Sequence, residues 1–84
     1  MRRRADVLWR ASPGYLVLST PNGEVTSVTG PGVEVWELLS EPLDADSIVM
    51  TLAERYAADV ELIRRDLAPL FETLIRGGYV DTDG

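Results

Sequence analysis

Apolar residues recur at helical spacing along the last third of the chain, from Asp59 to Arg76. These residues fall on one helix face, at positions i, i+4, i+7, i+8, i+11 and i+12: Ile63, Leu67, Leu70, Phe71, Leu74 and Ile75. A face this wide is buried against other elements, and in a chain of 84 residues part of it can be left for a partner. The pattern predicts one long amphipathic helix with a candidate binding surface.

Short segments of alternating or β-branched residues before Gly30 predict three strands. The segments are 7–10, 15–20 and 24–28, and the turn signals between them are Ser12-Pro13-Gly14 and Pro21-Asn22-Gly23. Because side chains alternate along a strand, Val28 and Thr26 share one face, and we expect Val28 to point inward beneath the helices. The sequence predicts an antiparallel meander whose last strand has no successor to pair with.

Two further helices are predicted between the strands and the long helix. Pro31 stands near the first position of one helix, whose buried stripe is Val35, Trp36 and Leu39 and which ends near Ser40. The next helix begins after an N-cap at Asp44, and a hydrophobic staple joins Leu43 to Ile48.

The boundaries of the long helix have their own signals. Asp59 is its predicted N-cap, and Gly77-Gly78 ends it. Pro69 falls inside the helix, where it removes a backbone hydrogen bond and predicts a kink. The predicted fold class is α+β and winged-helix-like, a three-stranded antiparallel sheet followed by three helices (βββααα), in a single domain spanning residues 1–84.

Composition narrows the chemistry that this domain can perform. The chain has no cysteine and no histidine, so it lacks the commonest zinc ligands and the commonest general acid and base, and we expect no cofactor and no metal. The net charge of −6, with eight arginines and no lysine, opposes binding to nucleic acid. With no signal peptide and no apolar run of about 18 residues, we expect a cytoplasmic protein without a membrane partner.

Charged residues on the predicted helices offer no catalytic site. Glu34, Glu37 and Glu41 are interpreted as a solvated face, and no nucleophile–base pair or phosphate loop is present, so an enzyme is not expected. Arg64-Arg65 resembles a DNA-reading pair, but the acidic neighbours favour ion pairing; contact with an acidic peptide residue stays open. Trp9 is either a core residue or a covering lid.

The ordered set of these patterns resembles the PqqD-like family, also called RiPP recognition elements. The residues that carry the resemblance are Val28-Thr29-Gly30-Pro31-Gly32, Val35-Trp36-Glu37-Leu38-Leu39, Ile48-Val49, Leu52-Ala53-Glu54-Arg55-Tyr56, Arg65-Asp66-Leu67, Leu70-Phe71, Leu74 and Gly78-Tyr79-Val80. The resemblance implies a protein that binds the leader segment of a ribosomally made precursor peptide as an extra strand beside the third strand. The groove implied by the resemblance has two walls: Val25, Thr26, Ser27 and Val28 on the strand, and Arg64, Leu67, Ala68, Phe71 and Ile75 on the third helix.

The physics of the strand edge agrees with this implication. Proteins usually blunt an open edge with charge or proline, whereas strand 24–28 carries only Glu24.

Within the family the chain looks most like the split lasso-peptide type, which implies a separate leader peptidase and a cyclase as partners. The alternatives are a chaperone for a radical-SAM enzyme, a winged-helix DNA-binding protein, and a small subunit whose edge pairs with its own copy.

Overall fold

Eight elements make up the fold over residues 1–82, which the computed structural model describes. In chain order they are β1 (Arg2–Arg3), β2 (Leu8–Ser12), β3 (Tyr15–Ser19), β4 (Val25–Thr29), α1 (Pro31–Leu38), α2 (Ala45–Tyr56), α3 (Val60–Arg76) and β5 (Val80–Asp81). The predicted α+β class, with a three-stranded antiparallel sheet followed by three helices, is confirmed. The short strands β1 and β5 were not predicted.

The three-stranded sheet has the order β2-β3-β4, so β3 is central and β4 is an edge. Leu18 on β3 pairs with Trp9 on one side and with Thr26 on the other. Leu16 and Val28 also face the helices and are buried, which confirms the predicted inward direction of Val28. β4 lies one residue later than the predicted segment 24–28 because its pairing with β3 extends to Thr29.

A second, two-stranded sheet joins the two ends of the domain. Arg2 pairs with Asp81 and Arg3 pairs with Val80 in an antiparallel register. Two arginines carry no strand signal of their own, so this ribbon depends on the packing of Tyr79 and Val80 into the core, where both are buried.

The helices α2 and α3 begin at the N-cap residues that the sequence predicts. The carboxylate of Asp44 accepts a hydrogen bond from the backbone N–H of Ser47 at 2.7 Å, and Asp59 accepts one from Glu61 at 2.8 Å. The helix α3 runs continuously through Pro69, and Gly78 after its end adopts the left-handed φ of 76° that favours glycine.

The core lies between the inner face of the sheet and the three helices. Its buried members include Val35, Trp36, Leu39, Ile48, Leu52, Leu67 and Leu74. Burial of each such side chain contributes roughly 1.5–3 kcal/mol, which makes this single core the main source of stability. Gly32 lets the first turn of α1 approach β4, since a Cβ at Gly32 would overlap Cγ1 of Val28.

Trp9 covers the core rather than entering it, which answers the question that its sequence left open. Trp9 is 48% exposed, and its ring meets that of Trp36 edge to face at a centroid distance of 6.3 Å. The guanidinium carbon of Arg3 lies 4.8 Å from the ring centroid of Trp9 and 4.7 Å from that of Trp36. Arg3 Nε also donates to the carbonyl of Trp36 at 3.1 Å, and partial burial lowers the pKa of Arg3.

Residues 1–82 offer neither a membrane-spanning helix nor a cluster of metal ligands. No helix there has the length and apolar character that crossing a bilayer requires. No group of three or more acidic side chains in the same range is arranged to hold a metal ion.

Candidate functional site

The free edge of β4 presents backbone groups that the sheet does not use. The carbonyl of Glu24 accepts a hydrogen bond from the N–H of Thr20 at 3.0 Å, which sets the phase of the ladder between β3 and β4. Because paired and unpaired positions alternate in an antiparallel ladder, Thr26 and Val28 bond toward β3. The N–H and C=O groups of Val25, Ser27 and Thr29 therefore point outward, the arrangement that an added strand needs.

A cleft lies between this edge and α3, and we call it the β4–α3 cleft. Its volume is about 170 Å³, and the residues that line it are Thr29, Pro31, Gly32, Asp66, Leu67 and Leu70. Most of this lining is apolar, and Asp66 is the charged residue among those that line it. The cleft can receive one apolar side chain with a polar or cationic neighbour.

A second recess fixes the direction of α3 relative to β4. It measures about 370 Å³ and is lined by Arg4, Asp6, Thr20, Pro21, Asn22, Gly77 and Gly78. The hairpin before β4 thus lies near the end of α3, whereas Thr29 lies near its middle, so the two elements run antiparallel. A hydrogen bond of 2.9 Å from the Tyr79 hydroxyl to Thr26 Oγ1 joins β4 to the segment that follows α3.

The charged residues that line this second recess form ion pairs with each other and with Asp81. Arg4 lies 3.2 Å from a carboxylate oxygen of Asp6 and 3.3 Å from one of Asp81. The hydrogen bond and charge of Asp6 raise the pKa of Arg4, and the hydrogen bond from Arg4 lowers the pKa of Asp6. These exposed pairs leave no unmatched charge to recognise a ligand.

The four predicted residues on β4 have two different roles in the structure. Val25, which is 64% exposed, and Ser27 turn their side chains to the outer face and their backbone groups to the free edge. Thr26 and Val28 turn their side chains inward, and their backbone groups belong to the pairing with β3. Thr29, which the sequence analysis left out of the site, is the third residue with outward backbone groups.

The five predicted residues on α3 do not share one flank of the helix. Leu67 is 4% exposed and lines the β4–α3 cleft from the core side. Arg64 does not line the cleft, because its guanidinium lies 3.3 Å from Asp46 of α2 and 3.6 Å from Glu61. Arg64 therefore marks the flank of α3 that faces α2.

Helix geometry puts the remaining predicted residues on that same flank. At about 100° per residue, Ala68, Phe71 and Ile75 lie within roughly 40° of Arg64 around the helix axis. Phe71 is half-buried against the core and Ile75 is 42% exposed, and neither lines the β4–α3 cleft. By the same geometry, the buried side chain of Leu67 lies between these residues and Leu70 of the cleft around the helix axis.

The cleft residues outside the predicted groove lie at the end of β4, at the start of α1 and on the other flank of α3. They are Thr29, Pro31, Gly32, Asp66 and Leu70. Leu70 was part of the apolar stripe, and its spacing from Leu67 placed it on the same face. What the sequence could not supply was the side of the stripe on which β4 would lie.

Comparison with known proteins agrees with this architecture. Among solved structures, the one described as "TbiB1 in Complex with the TbiA(beta) Leader Peptide" superposes with a TM-score of 0.85 at 21% sequence identity, over 100% of this chain and 99% of that chain. At this identity the likeness establishes the fold. No curated protein is significantly similar in sequence. The sequence model of the family described as "Coenzyme PQQ synthesis protein D (PqqD)" matches residues 14–80, from the turn before β3 to the start of β5, and the chain therefore belongs to the PqqD family.

Proposed function

We propose that this protein is a non-catalytic adaptor that binds the leader segment of a ribosomally synthesised precursor peptide as an added strand on β4. The observation that carries the proposal is the unpaired edge of β4 beside an apolar cleft on α3. Backbone bonds to Val25, Ser27 and Thr29 supply affinity that tolerates sequence change, and the cleft supplies selectivity.

The geometry of an added strand determines which peptide side chains are read. Side chains that lie opposite Ser27 share its outward direction, and those opposite Thr26 and Val28 face α3. The cleft adjoins Val28, because a Cβ on Gly32 would touch both Val28 and Leu70. The peptide residue opposite Val28 is thus the one that enters the cleft.

One comparison and the sequence patterns support a peptide as the partner. The solved structure with the same fold holds a leader peptide, and the patterns of this chain resemble those of leader-binding proteins in split lasso-peptide systems. We therefore propose a lasso-peptide precursor as ligand, with a separate leader peptidase and a cyclase as the enzymes to which it is presented. A cytoplasmic location accompanies this proposal, as does the absence of a cofactor.

A second candidate is a chaperone that carries a precursor peptide to a radical-SAM enzyme. The description of the matching family, coenzyme PQQ synthesis protein D, favours it. Both candidates use the same edge and cleft, and they differ in the enzyme that receives the peptide.

The test is a selection from a display library of random 12-residue peptides, followed by calorimetric titration of the enriched sequences. We expect a Kd of about 1 μM or tighter, equivalent to roughly −8 kcal/mol. Ser27→Pro removes an outward N–H and should abolish binding while the circular dichroism spectrum stays unchanged.

Ala11→Pro is the matched control on the other edge of the sheet. In the ladder between β2 and β3, Ala11 pairs with Leu16, whose backbone groups bond to β4, so the N–H of Ala11 also points outward. This variant should bind peptide as the wild type does. Failure to enrich any peptide, or equal affinity of Ser27→Pro and wild type, contradicts strand addition at β4.

A further inference from the structure

Asp66 lines the β4–α3 cleft and has no ion-pair partner among residues 1–82. No arginine within residues 1–82 forms an ion pair with it, whereas Arg64 is engaged by Asp46 and Glu61 on the other flank. One turn of α3 on either side of Asp66 carries a leucine, the exposed Leu62 and the cleft residue Leu70. An unmatched carboxylate between apolar side chains is suited to a cation that brings its own hydrocarbon chain.

The spacing along α3 matches the spacing along a strand. Asp66 and Leu70 are four residues apart on the helix, which corresponds to a rise of about 6 Å. Two residues of an added strand span about 6.6 Å, and residues two apart face the same side. If one peptide side chain meets Leu70 opposite Val28, the side chain two positions farther, beyond Thr29, meets Asp66.

The net charge of the whole domain also favours a basic peptide. The net charge is −6, so the protein attracts a basic segment before contact and repels an acidic one. We propose that Asp66 makes the site selective for peptides that carry arginine or lysine two positions from the apolar residue that enters the cleft. This inference rests on the proposed function and names the chemistry of its ligand.

The test uses the peptides enriched from the 12-residue display library. They should contain a basic residue two positions from a large apolar residue. Asp66→Asn should weaken binding of these peptides by about twofold to fivefold, the range for an ion pair made by an exposed carboxylate. Glu72→Gln is the matched control, because Glu72 is exposed on α3 and pairs with Arg76 rather than lining the cleft; it should leave the affinity unchanged.

Reversing the charge at position 66 tests the role of Asp66 independently of strand addition at β4. Asp66→Arg should reject the basic peptides and bind versions in which glutamate replaces the basic residue. If peptides bind in a manner that Ser27→Pro abolishes, but Asp66→Asn binds them as the wild type does, the role of Asp66 is overturned and strand addition stands. If no peptide binds at all, the proposed function itself fails.

Discussion

Arg64 and Asp66 are two residues apart on α3 and face opposite neighbours: the guanidinium of Arg64 lies 3.3 Å from Asp46 of α2, and Asp66 lines the cleft beside β4. Positions i and i+2 are separated by about 200° around a helix, so the two charges cannot serve one surface. The flank of α3 that would meet a peptide is therefore acidic. Under the proposed strand addition, a basic peptide is therefore expected, whereas Arg64 alone left contact with an acidic peptide residue open.

Leu70→Ala and Phe71→Ala form a matched pair that identifies the peptide-binding flank. Both side chains are half-buried on adjacent positions of α3, but Leu70 lines the cleft and Phe71 lies on the same flank of the helix as Arg64. We expect Leu70→Ala to weaken peptide binding by about 1–3 kcal/mol, as truncated interface anchors do. Phe71→Ala should lower stability and retain affinity. Loss of affinity in Phe71→Ala, with normal melting, would instead support the flank of Ala68, Phe71 and Ile75.

Leu67→Ala should lower the stability of the domain far more than it weakens peptide binding. Leu67 is 4% exposed and belongs to the main core, so the substitution leaves a cavity and costs about 2–5 kcal/mol of the free energy of unfolding. Urea denaturation measures this loss. Leu67→Met preserves volume and should cost less than about 1.5 kcal/mol; an equal loss in both variants would rule out cavity formation as the cause.

Arg3→Ala should destabilise the domain through the two tryptophans that it joins. The variant loses the stacking on Trp9 and Trp36 and the hydrogen bonds to the Trp36 carbonyl near the end of α1, and we expect a cost of about 1–3 kcal/mol. Tryptophan fluorescence should change in the folded state. Arg2→Ala in the same strand is the control, since Arg2 is exposed, and a comparable loss there would point to the ribbon of β1 and β5 instead.

Asp44 should make stability depend on pH at the acid end. The hydrogen bond from the backbone N–H of Ser47 lowers the pKa of Asp44 below its ordinary value. A depressed carboxyl pKa stabilises the fold fully above the unfolded pKa of about 3.9, and this contribution is lost as the pH falls through the lower folded value. Melting of wild type and Asp44→Ala should therefore differ at pH 7 and converge in acid; a constant difference would exclude the ionised cap as its source.

Local signals in the sequence predict most of this fold. The Pro21-Asn22-Gly23 turn, the caps at Asp44 and Asp59, and the stripe of α3 each act within a few residues, and the structure contains all of them. The ribbon of β1 and β5 was not predictable in this way, because Arg2 meets Asp81 only after the core has formed.

The candidate site could be predicted only in part from the sequence, for a related reason. The apolar stripe gives the centre of the buried face of α3, and Leu67 lies near that centre. Which flank borders β4 depends on the placement of the whole helix over the sheet, so the stripe alone could not choose between the flank of Phe71 and the flank of Asp66. Pro69 is a separate case, in which packing keeps α3 continuous despite a residue that disfavours helix.

The pairing of Arg2 with Asp81 brings the first and last strands of the domain side by side, at the separation of about 5 Å that neighbouring strands keep. A polypeptide that enters the domain at β1 therefore leaves it at β5 almost where it entered. Such a unit can be carried within the loop of a larger enzyme without forcing the loop apart. It should also tolerate circular permutation, with β1 and β5 joined by a short linker and new ends opened at the exposed turn of Pro13 and Gly14.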